Sequence, residues 1–292
     1  ANGVIAGGLV GTAKNTSIIH CSTTGTASFS CTTRDSYAGG LVGWQNGGSI
    51  SDCFSTMVVT AFSSSKVYAG GIVAVQYSGG IENCHSTGRV SVSSSSSNSY
   101  AGGLVGLQRD SILNSSSTSP VSCESLGASS DAYAGGLVGY QTMGSITGSF
   151  SEGSVSCSSA HLSCAGGLIG QQFASALITI NCYSTGTVTC SSSNAFFYAM
   201  AGGLVGYQTG GVITSCYSTG AVYTSGLARP IAGGLVGLGG AVINSFWDSQ
   251  TSGLDTSAGG TSRTTAQMKS MANYIAWNSP AQTDRKSTRL NS

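Results

Sequence analysis

The stretch Ala6-Gly7-Gly8-Leu9-Val10-Gly11 decides the fold, because close copies of it recur along the whole chain. The later copies begin at Ala38, Ala69, Ala101, Ala134, Ala165, Ala201 and Ala232, at spacings of 31 to 33 residues with one of 36. A regular period of this length is typical of repeat architectures, in which each repeat contacts its neighbours. The chain of 292 residues is therefore expected to form one elongated array.

Two further apolar segments follow each block, as Ile50-Ser51-Asp52-Cys53 and Val90-Ser91-Val92 illustrate. Gly, Ser and Asn separate these short β-branched segments, which is typical of strands joined by turns. One repeat therefore predicts one coil of three strands and three turns. Since a single coil cannot bury its inner face, stacking is required. The sequence predicts an all-β, parallel three-sided β-solenoid of about eight coils, with a continuous core.

Aligned repeats place like residues in columns that should form ladders along the solenoid. A glutamine follows the block in six coils, as Gln45, Gln76, Gln108, Gln141, Gln172 and Gln208. A stacked amide column can form hydrogen bonds along the axis, as in other cross-β stacks. A tyrosine precedes the block in four successive coils, as Tyr37, Tyr68, Tyr100 and Tyr133. Both columns are interpreted as structural ladders in preference to ligand sites.

The cysteines also fall into columns, and their number of ten favours secretion over a reducing compartment. One column contains Cys21, Cys53, Cys84, Cys182 and Cys216, and another contains Cys123, Cys157 and Cys190. Neighbouring coils bring such Cα atoms to about 4.8 Å, within disulfide range, but parallel side chains leave the Cβ atoms slightly too far apart. Disulfides and free, packed thiols therefore both remain open.

Composition limits the partners and suggests a location. Only 7% of residues are charged and the formal net charge is +1, so nucleic-acid binding and electrostatic membrane attachment are not expected. No apolar run approaches the roughly 18 residues of a membrane span, so direct membrane insertion is not expected. The sequons at Asn15 and Asn114 permit N-linked glycans if the source is a eukaryote. We expect an extracellular or cell-surface protein.

The Tyr-Ala-Gly-Gly-Leu-Val-Gly phrase, followed by a turn such as Cys216-Tyr217-Ser218-Thr219-Gly220, resembles the GLUG repeat of bacterial and microbial-eukaryote surface proteins. The resemblance covers nearly all of residues 3–265. It implies a repeat architecture but indicates little about activity, since such repeats accompany the working domains of large adhesins and exported proteases. No protease motif is present.

The candidates for catalysis and metal binding are weak. β-Solenoid glycosidases cluster carboxylates on one face, but the ten acidic residues here do not repeat a column on neighbouring coils, and Asp52 and Glu82 are the closest pair. His20, His85 and His161 occupy different repeat positions, so no metal or other cofactor is expected. An enzyme, in particular a carbohydrate-active one, is an unlikely alternative.

A column of threonines is the basis of a second alternative, that the protein is an ice- or glycan-binding solenoid. It contains Thr24, Thr56, Thr87, Thr118, Thr185 and Thr219, interrupted by Glu152. A single column is weak evidence, because ice binders usually present two parallel ranks. The leading hypothesis is a non-catalytic structural or adhesive repeat protein, with glycans or other cell-surface components as partners.

The predicted organisation has three parts: a solenoid over residues 1–261, a cap helix over 262–281 and a disordered or artefactual tail over 282–292. Thr264 and Gln267 have the spacing of a capping box before a helical apolar stripe. Residues 1–5 supply no comparable cover for the first coil. Open strand edges there would favour end-to-end self-association into a fibre, unless the chain is a fragment.

Overall fold

The computed structural model describes residues 3–174, 177–194, 196–227 and 229–270. Over these residues the chain forms eight stacked coils whose strands pair in parallel, so the predicted all-β solenoid is confirmed. The strands form five ladders, which we name A to E in the order in which each coil visits them. Ladders A to D run through all eight coils, and ladder E runs through the first seven.

The bounds of the strands show how regular the ladders are. Ladder A consists of Val4–Gly7, Ser36–Gly39, Val67–Gly70, Ser99–Gly102, Ala132–Gly135, Ser163–Gly166, Tyr198–Gly202 and Arg229–Gly233. Ladder B consists of Val10–Lys14, Val42–Asn46, Val73–Ser78, Val105–Gln108, Val138–Gln141, Ile169–Gln172, Val205–Gln208 and Val236–Leu238. Ladder C consists of Ile18–Ile19, Ile50–Ser51, Ile81–Glu82, Ile112–Leu113, Ser145–Thr147, Ile178–Ile180, Val212–Thr214 and Val242–Ile243. Ladder D consists of Ser22–Thr23, Phe54–Ser55, His85–Ser86, Ser116–Ser117, Phe150–Ser151, Tyr183–Ser184, Tyr217–Ser218, Phe246–Asp248 and Thr261–Arg263. Ladder E consists of Thr26–Cys31, Val58–Ser63, Val90–Ser94, Val121–Ser125, Val155–Ser159, Val188–Ser192 and Val222–Gly226.

Seven of the eight coils therefore have five strands, and the last has four, where the sequence predicts three, because two of the predicted segments are bent. The glycine block divides into ladders A and B at its second glycine. The segment after it divides into ladders C and D at a left-handed residue, such as Asp52 with φ 53° or Asn83 with φ 51°. Asp and Asn tolerate this conformation better than most residues do, since their short polar side chains can form local hydrogen bonds.

The bend between ladders A and B points into the solenoid. A Cβ atom at Gly40 would overlap the carbonyl oxygen of Gly71 in the next coil and the Ser55 hydroxyl on ladder D. In the first coil, Thr23 Oγ1 of ladder D donates a hydrogen bond of 2.8 Å to Gly40 O. The corner therefore contacts the opposite wall, and only glycine leaves enough space for that contact.

This contact divides the interior into two cores, a division that the sequence does not predict. One core, between ladders B, C and D, contains Leu, Val, Ile and Cys side chains such as Leu137 and Ile146. The other, between ladders A and E, contains smaller side chains such as Ala134 and Val155. Both cores extend from coil to coil along the axis. The cross-section has two lobes joined by a narrow waist.

Two short helices lie after the last coil. Ser249–Ser252 is capped by Asp248, and Thr265–Met268 begins at the predicted capping box of Thr264 and Gln267. No helix in the described part of the chain has both the length and the apolar character that a bilayer span requires. Residues 271–281 of the predicted cap helix and the predicted tail over 282–292 lie outside the described residues.

An extended segment between the two helices covers part of the final coil. Gly234 N donates to Thr256 O at 3.0 Å, and Ala258 N donates to Val236 O at 3.0 Å. The Ser257 hydroxyl accepts from Val236 N at 2.9 Å. Thr261–Arg263 then extends ladder D by one strand. Backbone groups at the end of ladders A and B are therefore satisfied by an extended segment, where the sequence predicts a helical cap.

Candidate functional site: an aromatic groove between ladders A and B

Ladders A and B fold back sharply, which leaves a groove on the outer surface between them. The wall on ladder A is the predicted tyrosine column, whose rings stack face to face. Ring centroids are 5.1 Å apart for Tyr37 and Tyr68, 4.6 Å for Tyr68 and Tyr100, and 5.2 Å for Tyr100 and Tyr133. Each ring is at most 9% exposed. The tyrosines thus form a largely buried, rigid wall.

The opposite wall comes from ladder B. Its outward column holds Trp44, Val75, Leu107, Tyr140, Gln171, Tyr207 and Leu238 in register. Trp44 meets Tyr37 edge to face at 5.3 Å, and Tyr140 meets Tyr133 in the same way at 5.0 Å. These contacts join the two walls, because edge-to-face packing is favourable for aromatic quadrupoles.

Two further aromatic residues lie at the outer rim, one residue beyond the glutamine of ladder B. Tyr77 stacks on Trp44 at 6.0 Å with an interplanar angle of 22°, and Phe173 stacks on Tyr140 at 6.1 Å with the same angle. Tyr77 is 44% exposed and Phe173 is 51% exposed. Each pair therefore presents aromatic surface to solvent.

A cavity of about 260 Å³ lies in the groove over the second to fifth coils. Its lining consists of Tyr37, Trp44, Tyr68, Val75, Tyr77, Leu107, Arg109 and Thr142. The Arg109 guanidinium carbon lies 4.4 Å from the Tyr77 ring centroid, a cation–π contact. This positive group is notable in a chain with so few charges.

The nearby carboxylates are held by other groups. Asp110, next to Arg109, accepts hydrogen bonds from Gly79 N at 2.8 Å and Ser111 N at 2.7 Å. Asp35 accepts from Ser65 Oγ at 2.5 Å and Lys66 N at 3.1 Å. Burial, together with the Asp35 carboxylate beside it, raises the pKa of Tyr37 to about 12. The tyrosine is therefore a neutral phenol at neutral pH.

The sequence indicates the tyrosine wall but not the groove. The missing information is the fold-back at the glycine corner, which brings residues before and after each block to the same outer surface. One sequence signal could have indicated the groove. A large residue stands three positions after the leucine of several blocks, as Trp44, Leu107, Tyr140 and Tyr207.

The glutamine column is aligned and buried, but its hydrogen bonds differ from those of an amide stack. Gln76 Nε2 donates to Gly79 O at 2.7 Å and to Ser111 O of the next coil at 3.1 Å. Gln108 repeats this with Asp110 O at 2.7 Å and Ser145 O at 3.2 Å. The amide nitrogens thus link successive coils through loop carbonyl groups. The column, which also contains Gln45, Gln141, Gln172 and Gln208, stabilises the turn between ladders B and C.

All ten cysteines are free thiols in the structure. In the first column, Cys53 Sγ donates to Ser51 O at 3.1 Å and Cys84 Sγ donates to Glu82 O at 3.2 Å, two residues back across the left-handed turn. Cys182 and Cys216 make the same bond, and Cys21 lies at the equivalent position in the first coil. Burial raises the pKa of the Cys84 thiol to about 12.

The second cysteine column lies in the core between ladders A and E. Cys123, Cys157 and Cys190 face each other in register and are at most 1% exposed. Burial is the main cause that raises the pKa values of Cys123 and Cys190. These side chains act as small apolar groups in the packing.

The two sequon asparagines are exposed, and both have left-handed backbone, with φ 50° at Asn15 and 46° at Asn114. Ser116, the hydroxyl residue of the second sequon, is 6% exposed. N-glycosylation at either site stays a prediction.

The threonine column lies at the turn between ladders D and E, and Thr24, Thr87, Thr118 and Thr185 are exposed. The neighbouring outward column on ladder D is irregular, with Ser22, Phe54, His85, Ser116 and Phe150 in successive coils. The threonines therefore form a single rank beside side chains of unequal size.

The polar residues suspected of chemistry are dispersed or have structural partners. His161 Nδ1 lies 2.6 Å from Asp131 Oδ1, and Asp131 also accepts from the Tyr133 hydroxyl at 2.9 Å. Asp52 accepts from Asn83 Nδ2 at 3.1 Å. Within the part of the chain that the structure describes, no three His, Cys, Asp or Glu side chains are grouped as metal ligands.

Comparison with known proteins supports the repeat assignment. A family model described as the GLUG motif matches residues 35–60, 130–156 and 198–223. Each match runs from the beginning of a ladder A strand to a ladder E strand. No curated protein sequence matches the chain significantly. A solved structure described as a candidate immunoglobulin A1 protease from Bacteroides ovatus matches with a TM-score of 0.48 and 16% identity, covering 91% of this chain and 72% of that one.

Proposed function

From a chain that carries GLUG motifs in an eight-coil β-solenoid, we infer a non-catalytic structural module that works by adhesion outside the cell. The observation that carries this proposal is the role of the repeated columns. The Gly, Leu, Gln, Tyr and Cys columns all make contacts between coils, so the regular period of the chain maintains the stacked rod. The outer surface of that rod is what remains for contact with a partner.

The roles of the acidic side chains support a non-catalytic assignment. Asp35 and Asp110 accept backbone and hydroxyl hydrogen bonds in the turns, and Asp248 caps a helix by accepting from Gln250 N and Thr251 N. Asp131 pairs with His161 and holds Asn98 on the preceding coil. A glycosidase needs two carboxylates that flank one bond about 5 to 9.5 Å apart. Here these four carboxylates serve separate local structures.

The extracellular location rests on composition and on the exported proteins in which such repeats occur. The cysteines do not support the extracellular location further, since all ten are free thiols in the structure. End-to-end association into a fibre is a further proposal, supported by the low charge, which gives little repulsion between molecules.

Retention and turnover assays on the same materials test this function. The purified full chain would be passed over surfaces coated with extracellular polysaccharides or glycoproteins, with the heat-unfolded chain as control. In parallel, the chain would be incubated with the same materials while reducing ends and free amines are measured. We expect retention that needs the folded chain and no release of products. Products that increase with protein concentration would identify an enzyme, and equal retention of the unfolded chain would contradict specific adhesion.

A further inference from the structure

The outer rim of the aromatic groove combines flat ring faces with one cationic group. Trp44 and Tyr77 stack with ring centroids 6.0 Å apart and an interplanar angle of 22°, and both line the cavity, so the pair forms one aromatic wall of it, the platform. A pyranose ring presents a flat face of C–H bonds with slight positive charge, which is attracted to the negative face of an aromatic ring. The platform therefore matches the face of a sugar.

Arg109 adds charge to this platform. Its guanidinium lies over Tyr77, where the planar donor groups are held at the cavity edge. The carboxylate of the adjacent Asp110 is held by Gly79 N and Ser111 N. Among the described residues the recorded ion pair joins His161 and Asp131, so no carboxylate neutralises Arg109. An arginine fork binds a carboxylate in a bidentate manner, and the complementary ligand is therefore an anion of that shape.

We propose that this groove binds an acidic sugar residue of a glycan, of the uronic or sialic acid class. The sugar ring packs in the cavity against the platform, and its carboxylate pairs with Arg109, which lies over Tyr77. The cavity of about 260 Å³ suits one sugar ring, since it falls just below the range of about 300 to 1,000 Å³ typical of drug-sized ligands. The Thr142 hydroxyl in the lining donates to Gln108 O at 3.2 Å and can accept a hydrogen bond from a ring hydroxyl. This inference deepens the adhesive function proposed above and rests on it.

Calorimetric titration of the full chain tests the proposal. The probes are a sialylated oligosaccharide and an oligouronate, each with its neutral counterpart that lacks the carboxylate. The acidic probes should bind about ten-fold or more tightly than the neutral ones, since hydrogen bonds to charged groups are the stronger class. Affinity for the acidic probes should also fall as salt is added.

Variants separate the platform from the charge. Trp44→Ala and Tyr77→Ala should weaken binding of acidic and neutral probes alike, whereas Arg109→Gln should remove the preference for the acid. Arg109→Lys should restore part of that preference. Tyr223→Ala and Arg89→Gln are matched controls, because they remove an exposed ring on ladder E and an exposed charge at the turn before it. Thermal unfolding of every variant checks that the fold is retained.

The outcomes distinguish this site from the general function. Equal affinity for acidic and neutral probes, or an unchanged preference in Arg109→Gln, would overturn the proposal while leaving adhesion intact. A shift of the parent chain from oligomer to monomer in Trp44→Ala would assign the groove to a second copy of the chain and also overturn it. Cleavage of a bound probe would instead contradict the non-catalytic function, while the proposed binding site would be retained.

Discussion

At the residue scale, one inward position before ladder D is filled by either cysteine or serine. Cys84 Sγ donates to Glu82 O at 3.2 Å, and Ser115 Oγ, one coil later, donates to Leu113 O at 2.8 Å. Ser115 Oγ also accepts from Cys84 N at 3.1 Å. The position thus closes a left-handed turn and links it to the next coil. Thiol and hydroxyl groups are interchangeable there because both can donate and accept.

Substitutions at Ser115 test this role. Ser115→Ala should lower the free energy of unfolding by about 1 to 3 kcal/mol, because it leaves the buried Cys84 N–H without its acceptor. Ser115→Cys should keep most of the stability, since the preceding coil uses the Cys84 thiol at the same position. Chemical denaturation of both variants provides the measurement. Equal losses for Ala and Cys would show that volume, and not hydrogen bonding, determines the residue.

The columns of Cys21, Cys53 and Cys84 can be predicted from the repeat alignment, but their role cannot. Spacing indicates that the thiols are neighbours and so permits either a disulfide or a thiol ladder. The hydrogen bond that decides the role reaches a carbonyl group two residues back. Its geometry depends on the left-handed conformation at Asp52 and Asn83, which the sequence favours without fixing.

At the scale of the element, the glycine corner determines how each coil closes. Gly136 repeats the geometry of Gly40, and a Cβ atom there would overlap Gly167 O and the Ser151 hydroxyl. The overlap involves backbone of the next coil, which cannot move without disturbing ladder A. The waist between the two cores therefore depends on a residue without a side chain.

Gly136→Ala should destabilise the solenoid by about 3 kcal/mol or more, at the upper end of the range for overpacked cores. Gly80→Ala is the matched control, because a Cβ atom there would meet only the Ser111 hydroxyl at 3.3 Å. That variant should stay within about 1 kcal/mol of the parent. Thermal unfolding of the two variants compares them directly, and similar midpoints would argue against the corner contact.

The sequence predicts the elements unevenly. The apolar residues of the block around Leu137 and Val138 recur with the coil, which predicts a stacked repeat, and both side chains are buried. Its division into two strands at Gly136 could not be foreseen, since a glycine pair permits many turn angles and the opposite wall selects one. At the C-terminus, the Thr264 capping box is found as predicted. The contribution of Ser257 is not signalled, since an extended covering segment has no periodicity.

At the scale of the whole molecule, stacking concentrates weakly acidic groups in places where they cannot ionise. Burial raises the pKa of Cys84 from 9.0 to about 12 and, together with nearby groups, that of Tyr140 from 10.0 to about 12. The pKa values of Tyr68, Tyr100 and Tyr133 rise for the same main reason. Each of these groups releases its proton more readily in the unfolded chain than in the folded one.

Stability should therefore be complete below about pH 9 and should fall as pH rises toward 12, since the folded pKa values lie above the unfolded ones. Thermal midpoints between pH 8 and 11, with tyrosinate absorbance recorded alongside, provide the measurement. Cys84→Ser is the control, because it keeps a hydrogen-bonding group at that position and removes one titrating thiol. It should reduce the slope with pH, and a flat profile for the parent chain would contradict the prediction.

The parallel ladders also determine how the rod responds to tension. Hydrogen bonds between coils run along the solenoid axis, so a pull on its two ends stretches those bonds lengthwise and loads the outermost coil first. A coil of 31 to 33 residues occupies about 4.8 Å of the rod but reaches about 100 Å when drawn straight. A tether built in this way lengthens one coil at a time, and each release lowers the force on the contact at its far end.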